Sequence, residues 1–183
     1  MKKTSLYQMT TCAIMAALMC IAGPLSIPIG PIPVTLTNLI IYFAIVLLGM
    51  KLSTISYLVY LLLGLVGLPV FSGFAGGLTK LAGPTGGYLL GFILMALIGG
   101  FVYEKTKGQP ILTGLGMFLG LVVAYVFGTA WFVYQMQCEV LYALSVCVWP
   151  FVPFDIIKIV IAILLGKVVR KALKRAGLIE SDF

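Results

Sequence analysis

The sequence has no histidine and very little charge. Charged residues make up 9% of the 183-residue chain, and acidic residues number five. Because histidine is the commonest metal ligand and a frequent general base, its absence argues against many hydrolytic and metal-dependent sites. A soluble domain carries about 25% charged residues, so this composition excludes an ordinary water-soluble fold.

Hydrophobic residues fill the chain instead, at 62% of the sequence with a mean hydropathy of +1.17. A protein of this composition would expose apolar side chains, which lipid solvates better than water does. A transmembrane helix needs about 20 apolar residues, so six helices would use roughly 120 and leave about 60 for connections. The composition therefore predicts a single integral membrane domain over residues 1–183.

Hydropathy along the chain predicts an all-α bundle of six transmembrane helices. Their expected limits are residues 7–22, 35–50, 53–68, 85–103, 111–134 and 153–169. The break between the second and third helices depends on Lys51. An alternative with five helices, in which neighbours merge, stays open.

Positive charges lie at alternate ends of these helices. Ten of the twelve Lys and Arg residues fall on one predicted side of the membrane: Lys2, Lys3, Lys51, Lys105, Lys107, Lys167, Arg170, Lys171, Lys174 and Arg175. The positive-inside bias makes this side cytoplasmic, so both termini are expected in the cytoplasm. The basic tail, about residues 170–183, fits an anionic lipid surface better than a nucleic acid.

The connections on the predicted outer side are long and rich in Gly and Pro. Repeated proline in residues 23–33 excludes a helix and favours polyproline or turn geometry. Residues 67–84 are Gly-rich yet apolar, which favours a structured lid that covers a bound ligand. The alternative is a loop that only packs on the helix ends. Cys138 and Cys147 flank the last outer loop and could form a disulfide, although nothing else in the sequence favours one.

Two opposite charges fall inside the last predicted helix. Pro153 suits the first helical turn, Asp155 suits the positive end of the helix dipole, and Lys158 follows three residues later on the same face. Ionisable side chains within a span are costly and usually mark a functional site. The alternatives are a structural ion pair or a lysine that extends to the interface.

The fourth predicted helix begins with Thr85-Gly86-Gly87-Tyr88. The free N–H groups of such a start attract anions or carbonyl groups, and Thr85 and Tyr88 add hydroxyls. Taken alone, glycines spaced four apart in this helix and in the fifth are ordinary helix-packing signals.

No phosphate-binding loop, metal-ligand spacing or nucleophile elbow occurs in the sequence. We therefore expect no enzyme activity, no metal and no cofactor. A binding protein of this kind would depend on ion coupling or on a separate energising partner.

Several motifs together resemble one known family. They are Leu68-Pro69-Val70-Phe71-Ser72-Gly73, Gly76-Gly77-Leu78, the block from Gly83 to Phe92, Pro33-Val34-Thr35-Leu36-Thr37-Asn38, and Pro153-Phe154-Asp155-Ile156-Ile157-Lys158. They look like the signature of BioY biotin transporters, which are substrate-binding S components of energy-coupling factor (ECF) transporters.

The resemblance implies a six-helix S-component bundle in the cell membrane, with a biotin pocket beneath the outer loops. It implies that Asp155 and Lys158 contact biotin, although which end of the ligand each holds stays open. Further implied contacts are Thr35, Phe71, Gly73, Phe74, Thr85, Gly86 and Tyr88. Ala13 and Ala17 resemble the docking face for a transmembrane coupling subunit, which two cytoplasmic ATPases would energise.

Other hypotheses remain. The same fold could bind a different vitamin or act as a standalone secondary transporter. A membrane enzyme would use Asp155 and Lys158 as catalysts, and a structural subunit would use them only as an ion pair.

Overall fold

Seven helices and one β-hairpin form the described part of the chain, which is residues 6–29 and 32–177 of a computed structural model. The elements are α1 (Leu6–Ala22), β1 (Ser26–Ile29), β2 (Ile32–Thr35), α2 (Thr37–Leu65), α3 (Leu78–Ala82), α4 (Gly86–Lys105), α5 (Pro110–Met136), α6 (Val140–Cys147) and α7 (Val152–Arg175). Lys2, Lys3, Gly30, Pro31 and residues 178–183 of the predicted tail lie outside the described residues. The predicted all-α membrane fold is confirmed.

Helix α2 turns back on itself at Gly49. The backbone there has φ 77° and ψ −172°, a conformation that glycine adopts almost alone. Just before the break, the Val46 carbonyl accepts a hydrogen bond from the Tyr103 hydroxyl near the end of α4 (2.8 Å). Beyond the break, the Tyr57 hydroxyl donates to the carbonyl of Leu89 near the start of α4 (2.6 Å). Helix α2 therefore supplies the predicted second and third spans, and the reversal lies at Gly49 instead of Lys51.

By length and composition, α2, α4 and α5 are long and apolar enough to cross a membrane. The helices α6 and α7, which meet at a 44° bend, form a further candidate span, and α1 is a shorter apolar helix. Six crossings would require α1, the two halves of α2, α4, α5 and α7 each to cross once, so the exact number of six stays a prediction. Helix α7 continues to Arg175, beyond the predicted limit at residue 169.

The first outer connection forms a hairpin where the sequence predicted polyproline or turn geometry. Strands β1 and β2 pair antiparallel, with Pro28 opposite Pro33. Proline excludes a helix, as predicted, but a short two-stranded sheet has edges at which a missing N–H is tolerated.

Two other predicted loops contain helices. The second outer connection includes α3, and the loop before the last span includes α6. Both are short, and apolar periodicity is hard to detect over so few residues. The thiols of Cys138 and Cys147 are free, so no disulfide joins them.

Glycines bring α4 and α5 into close contact, as the spacing predicted. A Cβ atom on Gly87 would lie 2.3 Å from the Trp131 Cβ, and one on Gly120 would lie 2.9 Å from the Met95 carbonyl oxygen. This contact holds the outer ends of both helices beside the same cavity.

Candidate binding site

A cavity lies where the outer connections meet the start of α2, α4 and α7. Its empty volume is about 650 Å³, a figure that includes open solvent at the mouth. Apolar walls come from residues of the hairpin, of α4 and of the α6–α7 bend, which are Ile32, Leu89, Phe92 and Phe151.

Four polar side chains from three helices meet at one wall of this cavity. Lys158 Nζ lies 2.8 Å from Asp155 Oδ1, so the predicted ion pair forms. The amide of Asn38 donates to the same oxygen (2.7 Å), and the Tyr125 hydroxyl donates to Asp155 Oδ2 (2.6 Å). Asp155 and Lys158 are 4% and 7% exposed. We call Asn38, Tyr125, Asp155 and Lys158 the polar cluster.

The three N–H groups of Lys158 all have acceptors in this structure. They donate to Asp155 Oδ1, to Asn38 Oδ1 at 3.0 Å and to the Thr35 carbonyl at 2.9 Å. The polar cluster therefore holds one negative and one positive charge in direct contact. Lys158 can donate to a ligand when it exchanges one of these acceptors.

Some hydrogen-bonding capacity in the polar cluster remains. A carboxylate offers about four lone-pair sites. Asp155 Oδ2 accepts from Tyr125 alone among the described residues, so it has room for a second donor. The Tyr125 oxygen can accept, and the second amide N–H of Asn38 can donate. The cluster can thus bind a group that is uncharged and has both a donor and an acceptor.

Local sequence explains how α7 presents its pair. Pro153 occupies the first turn, and the Asp155 amide bonds the Phe151 carbonyl at 2.9 Å. The carboxylate then lies at the positive end of the helix dipole, and Lys158 follows three residues later on the same side of the helix.

Tyr88 and Thr85 line the cavity, as the sequence suggested. The Tyr88 hydroxyl shares a 2.9 Å hydrogen bond with Thr129 of α5. The ring packs where Gly128 has no side chain, since a Cβ there would lie 2.4 Å from Tyr88 Cδ1. Thr35 also lines the cavity and gives its carbonyl to Lys158.

Four other expected contacts do not line this cavity. Phe71 is fully buried against Tyr60, with ring centroids 5.6 Å apart. Gly73 is exposed, and the Phe74 side chain is 66% exposed. Gly86 is buried at the contact between α3 and α4. From the same loop, Ser72 lines the cavity in their place.

Sequence reasoning did not identify three polar residues that line the cavity, which are Asn38, Tyr125 and Lys80. Asn38 ends the motif Pro33-Val34-Thr35-Leu36-Thr37-Asn38, but its partner Asp155 is 117 residues away in the sequence. Tyr125 lies in the middle of an apolar helix and gave no signal. Lys80 is the single Lys or Arg in the sequence of the outer connections, and this isolation is the signal that could have identified it.

Lys80 differs from the other charges of the cavity. It lies in the last turn of α3 and lines the cavity. Partial burial lowers the pKa of its ammonium from the ordinary lysine value. Among the described residues it has no ion-pair or side-chain hydrogen-bond partner.

Ala13 and Ala17 lie on a different surface. Both are exposed on α1, whereas Met15, Ala16 and Met19 on the opposite face of α1 are buried.

The described residues include no group of His, Cys, Asp and Glu that could hold a metal ion.

Comparisons with known proteins agree on one family. The model of the BioY family matches residues 1–175. The biotin transporter BioY of Thermotoga maritima is 38% identical over 164 residues, which cover 90% of this chain and 96% of that protein. The biotin transporter BioY2 of Lactococcus lactis is 35% identical over 97% of both chains. A crystal structure of the S component for biotin from an ECF-type ABC transporter is 33% identical, superposes with a TM-score of 0.85 and covers 93% of this chain and 94% of its own.

Proposed function

Because the chain belongs to the BioY family, we propose that it is the biotin-binding S component of an ECF importer. The relatives and the fold are those of a transport protein of the cell membrane and not of an enzyme. The observation that carries the proposal is the buried polar cluster in a largely apolar cavity.

The polar cluster suits the ureido ring of biotin. That ring is uncharged and has two N–H donors and one carbonyl acceptor, which matches the capacity left at Asp155, Tyr125 and Asn38. A ligand group with net charge would unbalance the paired charges of Asp155 and Lys158 in a site of low dielectric. Asp155 then accepts a ureido N–H, while Asn38 or Lys158 donates to the ureido oxygen.

Lys80 suits the other end of biotin, the carboxylate of the valerate tail. It is the cation of the cavity that has no partner among the described residues, and it lies on the loop side. A charge-assisted hydrogen bond to a carboxylate is about twice as strong as a neutral one. Leu89, Phe92 and Tyr88 would cover the apolar middle of the ligand.

The energy for uptake would come from other chains. We propose that the exposed face with Ala13 and Ala17 docks on a transmembrane coupling subunit, which two cytoplasmic ATPases drive. Small residues let helix backbones approach closely in lipid, which suits such a contact. We also propose that residues 1–183 form one membrane domain with cytoplasmic termini.

Thermal unfolding of the purified protein with and without biotin tests the ligand. Biotin at about 100 times its dissociation constant should add roughly 2.7 kcal/mol to the stability of the folded state. A panel of other vitamins at the same concentration should give no shift. Stabilisation by another vitamin alone would reject biotin and keep the fold assignment.

A further inference from the structure

Helix α3 carries Lys80, and five residues are too few to hold a helix by themselves. Its position must therefore come from contacts with the rest of the protein. The carbonyl groups at the end of a helix have no partner within it and need one from outside.

Two side chains of α5 supply those partners. The Trp131 indole N–H donates to the Gly83 carbonyl at 3.0 Å, and the Gln135 amide donates to the Ala82 carbonyl. Ala82 is the last residue of α3, and Gly83 is its C-cap. Both bonds lie within three residues of Lys80 along the chain.

The start of α4 also contacts the end of α3. Gly86 N bonds the Gly83 carbonyl at 3.0 Å. A Cβ on Gly86 would lie 1.6 Å from the Leu81 carbonyl oxygen, so only glycine permits this approach. Gly86, expected as a ligand contact, instead lets α3 sit directly against α4.

The other end of α3 is tied to α2. Gly77 N donates to the Gly64 carbonyl at 2.7 Å. Both ends of α3 are therefore hydrogen-bonded to neighbouring helices, and in this arrangement Lys80 lines the cavity.

We propose that Trp131 and Gln135 are positioning residues: by capping α3 they aim the Lys80 ammonium at the anionic end of the ligand and so set the preference for a carboxylate. This inference rests on the proposed function and adds a specificity element outside the cavity. Neither Trp131 nor Gln135 lines the cavity.

Affinities for two probes, biotin and its neutral carboxamide, separate positioning from a structural role. The wild-type protein should bind biotin at least tenfold more tightly than the amide, and Lys80→Met should remove that preference. Trp131→Phe keeps the aromatic packing against Gly87 and deletes the N–H. It should weaken biotin binding about threefold to tenfold, the range of one hydrogen bond, and change amide binding less than about twofold.

Gln135→Met should act in the same direction and is the second variant if Trp131→Phe does not fold. Trp149→Phe is the matched control, because that indole is 69% exposed and bonds no described residue. It should change neither affinity.

Equal weakening of both probes by Trp131→Phe and Gln135→Met would mean a structural role and overturn the inference. So would unchanged binding of both probes in the two variants, or full discrimination retained in Lys80→Met. In each of these cases the wild type still binds biotin and the proposed function stands. If the wild type binds neither probe, the proposed function and this inference both fail.

Discussion

At the cavity end of the bundle, Asp155 and Lys158 pair with each other and with side chains of neighbouring helices. At the opposite end, Glu104 and Arg170 bind the backbone where α2 reverses. Glu104 Oε1 accepts from Met50 N at 2.7 Å, and Arg170 Nη1 donates to the Val46 carbonyl at 2.9 Å.

These two regions show that a charged side chain within the bundle has a different role according to what it binds. A reversal inside a helix frees N–H and C=O groups, and each would be costly if left unpaired in lipid. Glu104 and Arg170 satisfy such groups, so their role is structural. In the polar cluster most bonds join side chains, and capacity remains toward a cavity, which is what a binding site requires.

The largest effect is expected at the cavity end. Asp155→Asn replaces one of the two oxygens that accept from Asn38, Tyr125 and Lys158 with an NH2 donor, and it leaves Lys158 without its counter-charge. Biotin affinity should fall by about 100-fold, which corresponds to roughly 2.7 kcal/mol. Isothermal titration calorimetry on the detergent-solubilised protein measures it.

The double variant Asp155→Asn with Lys158→Met is the control for a merely structural pair. Removing both charges should recover much of the stability that either single change costs, because no uncompensated charge stays buried. Biotin affinity should stay at least as weak as in Asp155→Asn. Recovery of biotin binding in the double variant would contradict a ligand-binding role for the pair.

At the opposite end, Gly49→Ala should lower stability and spare binding. Alanine is strained at φ 77°, and its Cβ would lie 2.7 Å from Glu104 Oε1. We expect a loss of about 2 kcal/mol in the free energy of unfolding, within the usual range for backbone strain. The dissociation constant for biotin in the folded protein should change less than about twofold, or roughly 0.4 kcal/mol.

Gly67→Ala isolates the Glu104 contact from backbone strain. Gly67 also has a positive φ, 110°, but a Cβ there would meet nothing within 4 Å. Its cost should therefore be smaller than that of Gly49→Ala. Equal costs would show that the contact with Glu104 adds nothing.

The same contrast explains what could be predicted from the sequence. Composition and hydropathy predicted the spans, because transfer to lipid depends on residue type. Asp155 and Lys158 stood out because charge within a span is rare. Asn38 and Tyr125 could not be identified as their partners, since those contacts depend on how distant helices pack. The chain reverses at Gly49 because of the backbone conformation there. The sequence instead suggested a break at Lys51, since a charged residue between apolar runs predicts the end of a span.

Ala17→Leu tests the exposed face of α1, which lies at neither the cavity end nor the α2 reversal. Leucine there should leave biotin affinity unchanged, because Ala17 is exposed on α1, away from the cavity. Uptake by the complete transporter should fall about tenfold if this face docks on the coupling subunit, since overpacking typically costs about 1–3 kcal/mol. Leu18→Ala, a change at a neighbouring exposed position, serves as the control. Normal uptake by Ala17→Leu would reject the docking face.

The smallest effect expected is a pH dependence that separates Lys80 from the polar cluster. Burial lowers the pKa of Lys80, so its ammonium loses its proton at a lower pH than an ordinary lysine does. If the charged form of Lys80 binds the biotin carboxylate as proposed, affinity should decrease several-fold as the pH rises through that pKa. The ligand carboxylate stays ionised throughout this range.

Two controls separate Lys80 from the polar cluster. The neutral carboxamide should show no such decrease in affinity, and neither should biotin with Lys80→Met. Titration within the polar cluster would instead affect both probes. A parallel decrease for biotin and carboxamide would assign the pH dependence to the polar cluster and leave Lys80 without a role in carboxylate recognition.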